Sequence, residues 1–89
     1  MKKLDITIDR LLFNYIKDII YADDLLKFGI VHHFINYDAN KTTGTLMFVL
    51  EREPRPTLIS VCRIDIADPQ LFDTLPWLIK TRFEKHGLE

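Results

Sequence analysis

The chain has little of what usually announces a chemistry. No catalytic, metal-binding or nucleotide-binding motif is present, so no catalytic residue, metal ligand or cofactor is expected and the chain does not read as an enzyme. Its single cysteine, Cys62, cannot close an intrachain disulfide. A reducing compartment, the cytoplasm, is therefore the expected location. No apolar run approaches about 18 residues, which excludes a membrane-spanning helix of the usual kind. Met1-Lys2-Lys3 is basic, but Asp5 and Asp9 follow with no long apolar stretch, so no signal peptide is expected. Excess charge of one sign is also lacking. A net charge of −1, spread evenly, resembles neither a basic nucleic-acid binder nor an acidic tail.

What is present is a globular composition, 47% hydrophobic and 28% charged, which excludes gross disorder. Residues 1–89 read as one small domain, with residues 1–5 expected to fray and Leu88-Glu89 as possible tag-derived residues. A chain of this length buries roughly 60–65% of its unfolded surface, so the core is small. The stretch from Ile30 to Ile66 organises it. Ile30–Tyr37 is β-branched and aromatic, with strand character. Asp38-Ala39-Asn40-Lys41-Thr42-Thr43-Gly44 are turn formers and predict a hairpin loop. In Thr45–Glu51, Leu46, Phe48 and Leu50 share one face by the two-residue period. Glu53-Pro54-Arg55-Pro56 stops that strand. Thr57–Ile66 is a third strand, and plain alternation puts Leu58, Ser60, Cys62, Ile64 and Ile66 on one side and Thr57, Ile59, Val61, Arg63 and Asp65 on the other.

Helical spacing flanks the strands. Ile8, Leu11, Leu12, Tyr15, Ile16, Ile19 and Ile20 form a stripe with a 3.6-residue period, with Thr7 or Asp5 as a cap. Asp23 and Asp24 interrupt the stripe, but an alternative one through Ala22 and Leu26 predicts a single helix to about Phe28. Gly29 then supplies a left-handed C-cap, with Lys27 in the last turn. After the sheet, Asp68-Pro69 reads as a helix start. The expectation is a short turn at 69–73, then a helix from Thr74 to His86 with Pro76 in its first turn. Leu75, Leu78, Ile79 and Phe83 are its buried stripe and Gly87 its end. The fold class is α+β: helix, three-stranded antiparallel β-meander, helix.

Each candidate for chemistry has a plainer account. His32 and His33 are adjacent, and neighbours in a strand point to opposite faces, so one ion cannot take both. Cys62 lies among apolar residues, with nothing nearby to lower its pKa. Asp65, Asp68, Glu51 and Glu53 suggest an acidic cluster at one sheet end, the arrangement a small hydrolytic enzyme would use. Asp68 is better explained as a helix cap, and Glu51 and Glu53 sit beside Arg52 and Arg55. Core packing is the expected role of Tyr37, Phe48 and Trp77.

Helix, three strands and helix is also the element order of double-stranded-RNA-binding domains. The similarity goes no further than that order. Phosphate contact in that family needs a basic start to the second helix, whereas this one opens Asp68-Pro69-Gln70-Leu71-Phe72-Asp73. Nucleic-acid binding or regulation is accordingly the alternative reading. The preferred one is a non-catalytic interaction or adaptor domain that binds another protein or a second copy of itself. It rests on an apolar set that plain alternation places away from the helices: Val31, Ile35, Tyr37, Met47, Val49, Ile59 and Val61. Two short helices cover one sheet face and not both, so this face is the expected homodimer interface.

Overall fold

The computed structural model describes the backbone of residues 2–85 and the side chains of residues 8–84. The elements are α1 (Lys2–Ala22), a 3-10 turn (Leu25–Phe28), β1 (Ile30–Tyr37), β2 (Thr43–Leu50), β3 (Thr57–Asp65) and α2 (Leu71–Lys85). The strands form one antiparallel sheet in the order β1-β2-β3. The α+β meander read from the sequence is therefore the architecture, and both helices lie on one side of the sheet. Leu12, Ile16, Ile19 and Ile20 of α1 and Leu71, Leu75, Ile79 and Phe83 of α2 share one core with Leu46, Phe48 and Leu50 of β2. Among the described residues no helix is long and apolar enough to cross a membrane.

Several boundaries differ from the expected ones. Helix α1 already includes residues 2–5, so neither Asp5 nor Thr7 opens the helix. It stops at Ala22 and does not continue to Phe28. Asp24 takes a left-handed φ of 56°, and the chain restarts as a 3-10 turn. Two charged residues in succession have no place on the buried stripe, and this break lets Leu25 return to the core. Leu11, expected in that stripe, is exposed. Gly29 does provide the left-handed cap, at φ 85°, and its N–H bonds the Leu26 carbonyl. Helix α2 runs unbroken through Pro76, so there is no separate turn at 69–73. Proline has no N–H for the carbonyl four residues back, Phe72. That carbonyl accepts instead from the Tyr15 hydroxyl of α1 at 2.8 Å, which joins the two helices where α2 lacks a bond of its own. Helix α2 starts at Leu71, so Asp68 is not its N-cap; the Asp68 carboxylate accepts from the Gln70 N–H at 2.9 Å and shapes the turn ahead of the helix. His86, Gly87 and Leu88-Glu89 lie outside the described residues, as does Met1.

The β1–β2 loop is an Asn-centred turn. The Asn40 side-chain carbonyl accepts from the N–H groups of Thr42 and Thr43 at 2.9 and 3.1 Å. The left-handed residue is Lys41, φ 62°. Gly44, expected in the turn, lies in β2 opposite Tyr37. Its need is space: a Cβ there would stand 2.8 Å from the Asn36 carbonyl oxygen and 2.9 Å from the Tyr37 Cα.

Two bulges decide which side chains face the helices. In β1, Ile30 pairs with Leu50 but His32 with Val49, leaving Val31 as the extra residue. In β3, Cys62 pairs with Leu46 but Ser60 with Met47, leaving Val61 as the extra residue. An extra residue reverses the alternation on one side of itself. Ile30, His33, Ile35 and Tyr37 therefore face the helices, together with Ile59, Val61, Cys62 and Ile64. Opposite them, on the helix-free face, lie Val31, His32, Phe34 and Asn36, Thr45, Met47 and Val49, and Leu58, Ser60 and Arg63.

Candidate interaction surface

Of the seven residues expected to form an apolar face away from the helices, only Val31, Met47 and Val49 are there. Ile35 sits across from buried Leu46 and packs against the core. Tyr37 turns toward α1, where its hydroxyl donates a short hydrogen bond to the Asp9 carboxylate. Ile59 is across from Phe48, and Val61 is 8% exposed within the core. Two residues take their place: Phe34, and Leu58, which is 57% exposed. The helix-free face thus carries a shorter apolar strip of Val31, Phe34, Met47, Val49 and Leu58. Its other end is polar. Arg63 donates to Asp38 at 2.6 Å and to the Thr45 hydroxyl at 3.1 Å. The guanidinium beside Asp38 holds that carboxyl below its ordinary range.

A second apolar region borders the first. Helix α1 runs antiparallel to β1, with Asp9 at the Tyr37 end and Lys17 near Ile30 and Val31. Two hollows that share Phe13, His32 and His33 lie between helix and strand. One, of about 260 Å³, is lined by Asp9, Phe13, His33, Ile35 and Tyr37. The other, of about 160 Å³, is lined by Phe13, Lys17, Tyr21, Leu26 and Val31. Eight large apolar side chains are exposed among the described residues, and four of them, Phe13, Tyr21, Leu26 and Val31, surround this second hollow. The β1 border is also chemically open. The Asp38 N–H bonds the Thr43 carbonyl. By the alternation of an antiparallel ladder, His33, Ile35 and Tyr37 turn their peptide groups outward. No strand among the described residues pairs there.

His33 is the one buried polar side chain among the described residues. Its ring stacks on Phe13 at 4.2 Å, and Nε2 lies 3.2 Å from the Phe13 carbonyl oxygen. A carbonyl only accepts, so Nε2 carries the proton and the ring is neutral when Nδ1 is bare. Burial pushes its pKa below the usual value, partly opposed by that carbonyl bond, with His32 and Lys17 adding smaller repulsions. His32 is exposed on the other face. Among the described residues no group of three His, Cys, Asp or Glu side chains could hold a metal ion.

The remaining candidates are dispersed. Glu51 and Glu53 follow the Leu50 end of β2, whereas Asp65 pairs with Thr43 at the other end, so these acids do not converge. Asp65 accepts from the Ala67 N–H and Asp68 from the Gln70 N–H, both turn-making roles. Cys62 is partly buried, and burial pushes its thiol up to about 11, away from nucleophilic use. Trp77 is not core: it is 65% exposed on the outer side of α2. Comparison of the chain with protein-family models, curated proteins and solved structures finds no match.

Proposed function

We propose that this chain is a small non-catalytic protein-interaction domain of the adaptor kind, which self-associates and presents an apolar sheet surface to protein. The observation that carries the reading is the helix-free strip of Val31, Phe34, Met47, Val49 and Leu58. A sheet with both helices on one side leaves its other side to water, and such faces are ordinarily polar throughout. Here five apolar residues from three strands lie together, the pattern of a contact surface. Among the described residues, Asp65 lies at the opposite end of the sheet from Glu51 and Glu53, which does not favour the acidic-cluster reading.

Light scattering on a size-exclusion peak, over a concentration series, tests self-association. The expected mass is a multiple of the 10.5 kDa chain. A mass of one chain at every concentration refutes self-association. With a dimer in hand, Val49→Lys asks whether the strip is its interface. The substitution leaves the core intact and places a charge at the centre of the strip, so a face-to-face dimer would separate. A dimer that survives leaves the strip for a different protein and puts the self-contact elsewhere.

A further inference from the structure

We infer that the self-contact is made by α1: two copies pair their α1 helices antiparallel, about a two-fold axis passing Phe13, with each Asp9 facing the partner's Lys17. The inference rests on the proposal that the domain self-associates and adds which surface does so. On the side of α1 that overhangs β1, Asp9, Phe13, Lys17 and Tyr21 follow one another at four-residue steps and are exposed. Residues four apart lie along one stripe of a helix. Around Phe13 the stripe is antisymmetric in charge: an acid one step before it, a base one step after. An isologous dimer requires a surface complementary to its own rotated copy. Turning this stripe by 180° about Phe13 places Asp9 against Lys17, Phe13 against Phe13, and Lys17 against Asp9. The same rotation about Tyr21 or Asp9 offers no such match among the described side chains.

Position and area agree with this assignment. Phe13 is near the middle of Lys2–Ala22, so antiparallel helices crossing there overlap along nearly their whole length. The pairing brings the partner's helix alongside Tyr21 and the adjoining Leu26 and Val31. The exposed parts of Phe13, Tyr21, Leu26 and Val31 come to roughly 400 Å² per copy, about half of one partner's share of a standard interface. The flanks of the stripe and the outward peptide groups of β1 lie beside it and are screened from water by the same contact. Asp9 can serve both partners, since Tyr37 occupies only Oδ1.

Two charge reversals test this on the full chain by sedimentation equilibrium, with circular dichroism as a check on folding. In Lys17→Glu alone, each copy sets Glu against Asp9 of the other. In Asp9→Lys alone, each sets Lys against Lys17. Each variant is expected to raise the dimer Kd by about tenfold or more, because two attractive contacts become two repulsive ones. An equimolar mixture restores both attractive contacts in a heterodimer, and its Kd is expected to return toward that of the wild type. Lys17→Glu changes an exposed side chain and carries the first arm alone if Asp9→Lys, which loses the Tyr37 bond, does not fold. A Kd moved less than about twofold by Lys17→Glu, or a mixture no tighter than its components, overturns the assignment. A wild-type dimer split by Val49→Lys but not by Lys17→Glu also overturns it and leaves self-association standing. A wild-type chain that is monomeric throughout removes both.

Discussion

Val61→Lys and Leu58→Lys, taken as a pair, test the register of β3 more sharply than any single substitution. Plain alternation puts Leu58 against the helices and Val61 in the open; the bulge reverses both. Val61 is 8% exposed and part of the core, whereas Leu58 is 57% exposed on the helix-free face. Replacing Val61 removes a buried side chain worth about 1.5–2 kcal/mol. The ammonium must then be desolvated or pulled to the surface by distorting the strand, a further cost of several kcal/mol. A total of about 4–5 kcal/mol compares with a global stability of roughly 4–13 kcal/mol for a domain of this length. Leu58→Lys leaves its methylene stem on the strip and its charge in water, for a change of about 0.5 kcal/mol or less in the free subunit. Urea titration followed by far-ultraviolet circular dichroism reads both, since the exposed Trp77 is a poor fluorescence reporter of the core. With a slope of about 1 kcal/mol per molar urea, Val61→Lys should lower the midpoint by roughly 4 M or abolish the native baseline. Leu58→Lys should leave the midpoint within about 0.5 M of wild type. The opposite order would place the extra residue of β3 elsewhere and return Ile59 and Val61 to the open face.

Four further outcomes follow from the same geometry. Phe48→Ala empties the centre of the core, where the ring meets Phe83 and His33; it should cost roughly 3–5 kcal/mol in a denaturation experiment, enough to unfold most molecules of a marginal domain. Gly44→Ala should destabilise by more than the ~1 kcal/mol typical of a point substitution, because the added Cβ meets backbone atoms that cannot swing away; near-wild-type stability would refute the close approach. Tyr15→Phe strips the Phe72 carbonyl of its donor and should cost about 0.5–1.5 kcal/mol, whereas in the Pro76→Ala background the backbone N–H replaces that donor and the cost should shrink; equal costs in both backgrounds would refute the substitution of one bond for the other. The depressed pKa of His33 means that the unfolded chain binds the proton first, so stability should be complete above pH 6.5 and fall as pH drops below it toward the folded-state pKa; His33→Gln should flatten that stretch of the pH–stability curve, and an unchanged slope would assign it to other groups.

The order of elements was legible because it depends on period and punctuation. The stripe of Leu12, Tyr15, Ile16, Ile19 and Ile20, the alternation of Leu46, Phe48 and Leu50, and the stop at Pro54 and Pro56 each have a local physical cause. The faces of β1 and β3 were legible only in part. A bulge adds one residue without altering composition, and neither Val31 nor Val61 differs in type from its strand neighbours. The trace it does leave is a strand in which neither side is cleanly polar. Read with a fixed two-residue period, β3 mixes Ser60 with Ile64 on one side and Arg63 with Val61 on the other. With the bulge included, Ile59, Val61, Cys62 and Ile64 go inward while Leu58, Ser60, Arg63 and Asp65 go outward, and most of the mixing disappears. Part of the apolar surface expected on the open face was therefore core, and the strip that remains is the part that alternation cannot explain. The exposure of Phe13, Tyr21 and Trp77 depends on how far each helix overhangs the sheet, a tertiary distance with no local signature.

The two borders of the sheet are protected unequally, and this inequality supports the proposed placement of a second chain. Along β3 the edge is interrupted by the bulge at Val61, carries Arg63 and Asp65, and has its Ser60 carbonyl taken by the Arg82 guanidinium of α2 at 2.9 Å. Bulges, charges and covering side chains are the usual means by which an edge strand avoids pairing with another chain. Along β1 the bulge lies at the start, and His32–Tyr37 then continues without a formally charged residue when both histidines are neutral. What stands over that border is α1, with Phe13 and Tyr21 exposed and one charge of each sign beside Phe13. A monomer would leave the unguarded strand and the exposed aromatic residues together in water. An α1 pair would cover both at once, and it would leave Phe34, Met47, Val49 and Leu58 of the strip facing away from the helices on each copy. Under this proposal self-association and partner binding use neighbouring surfaces of one small sheet that meet at Val31.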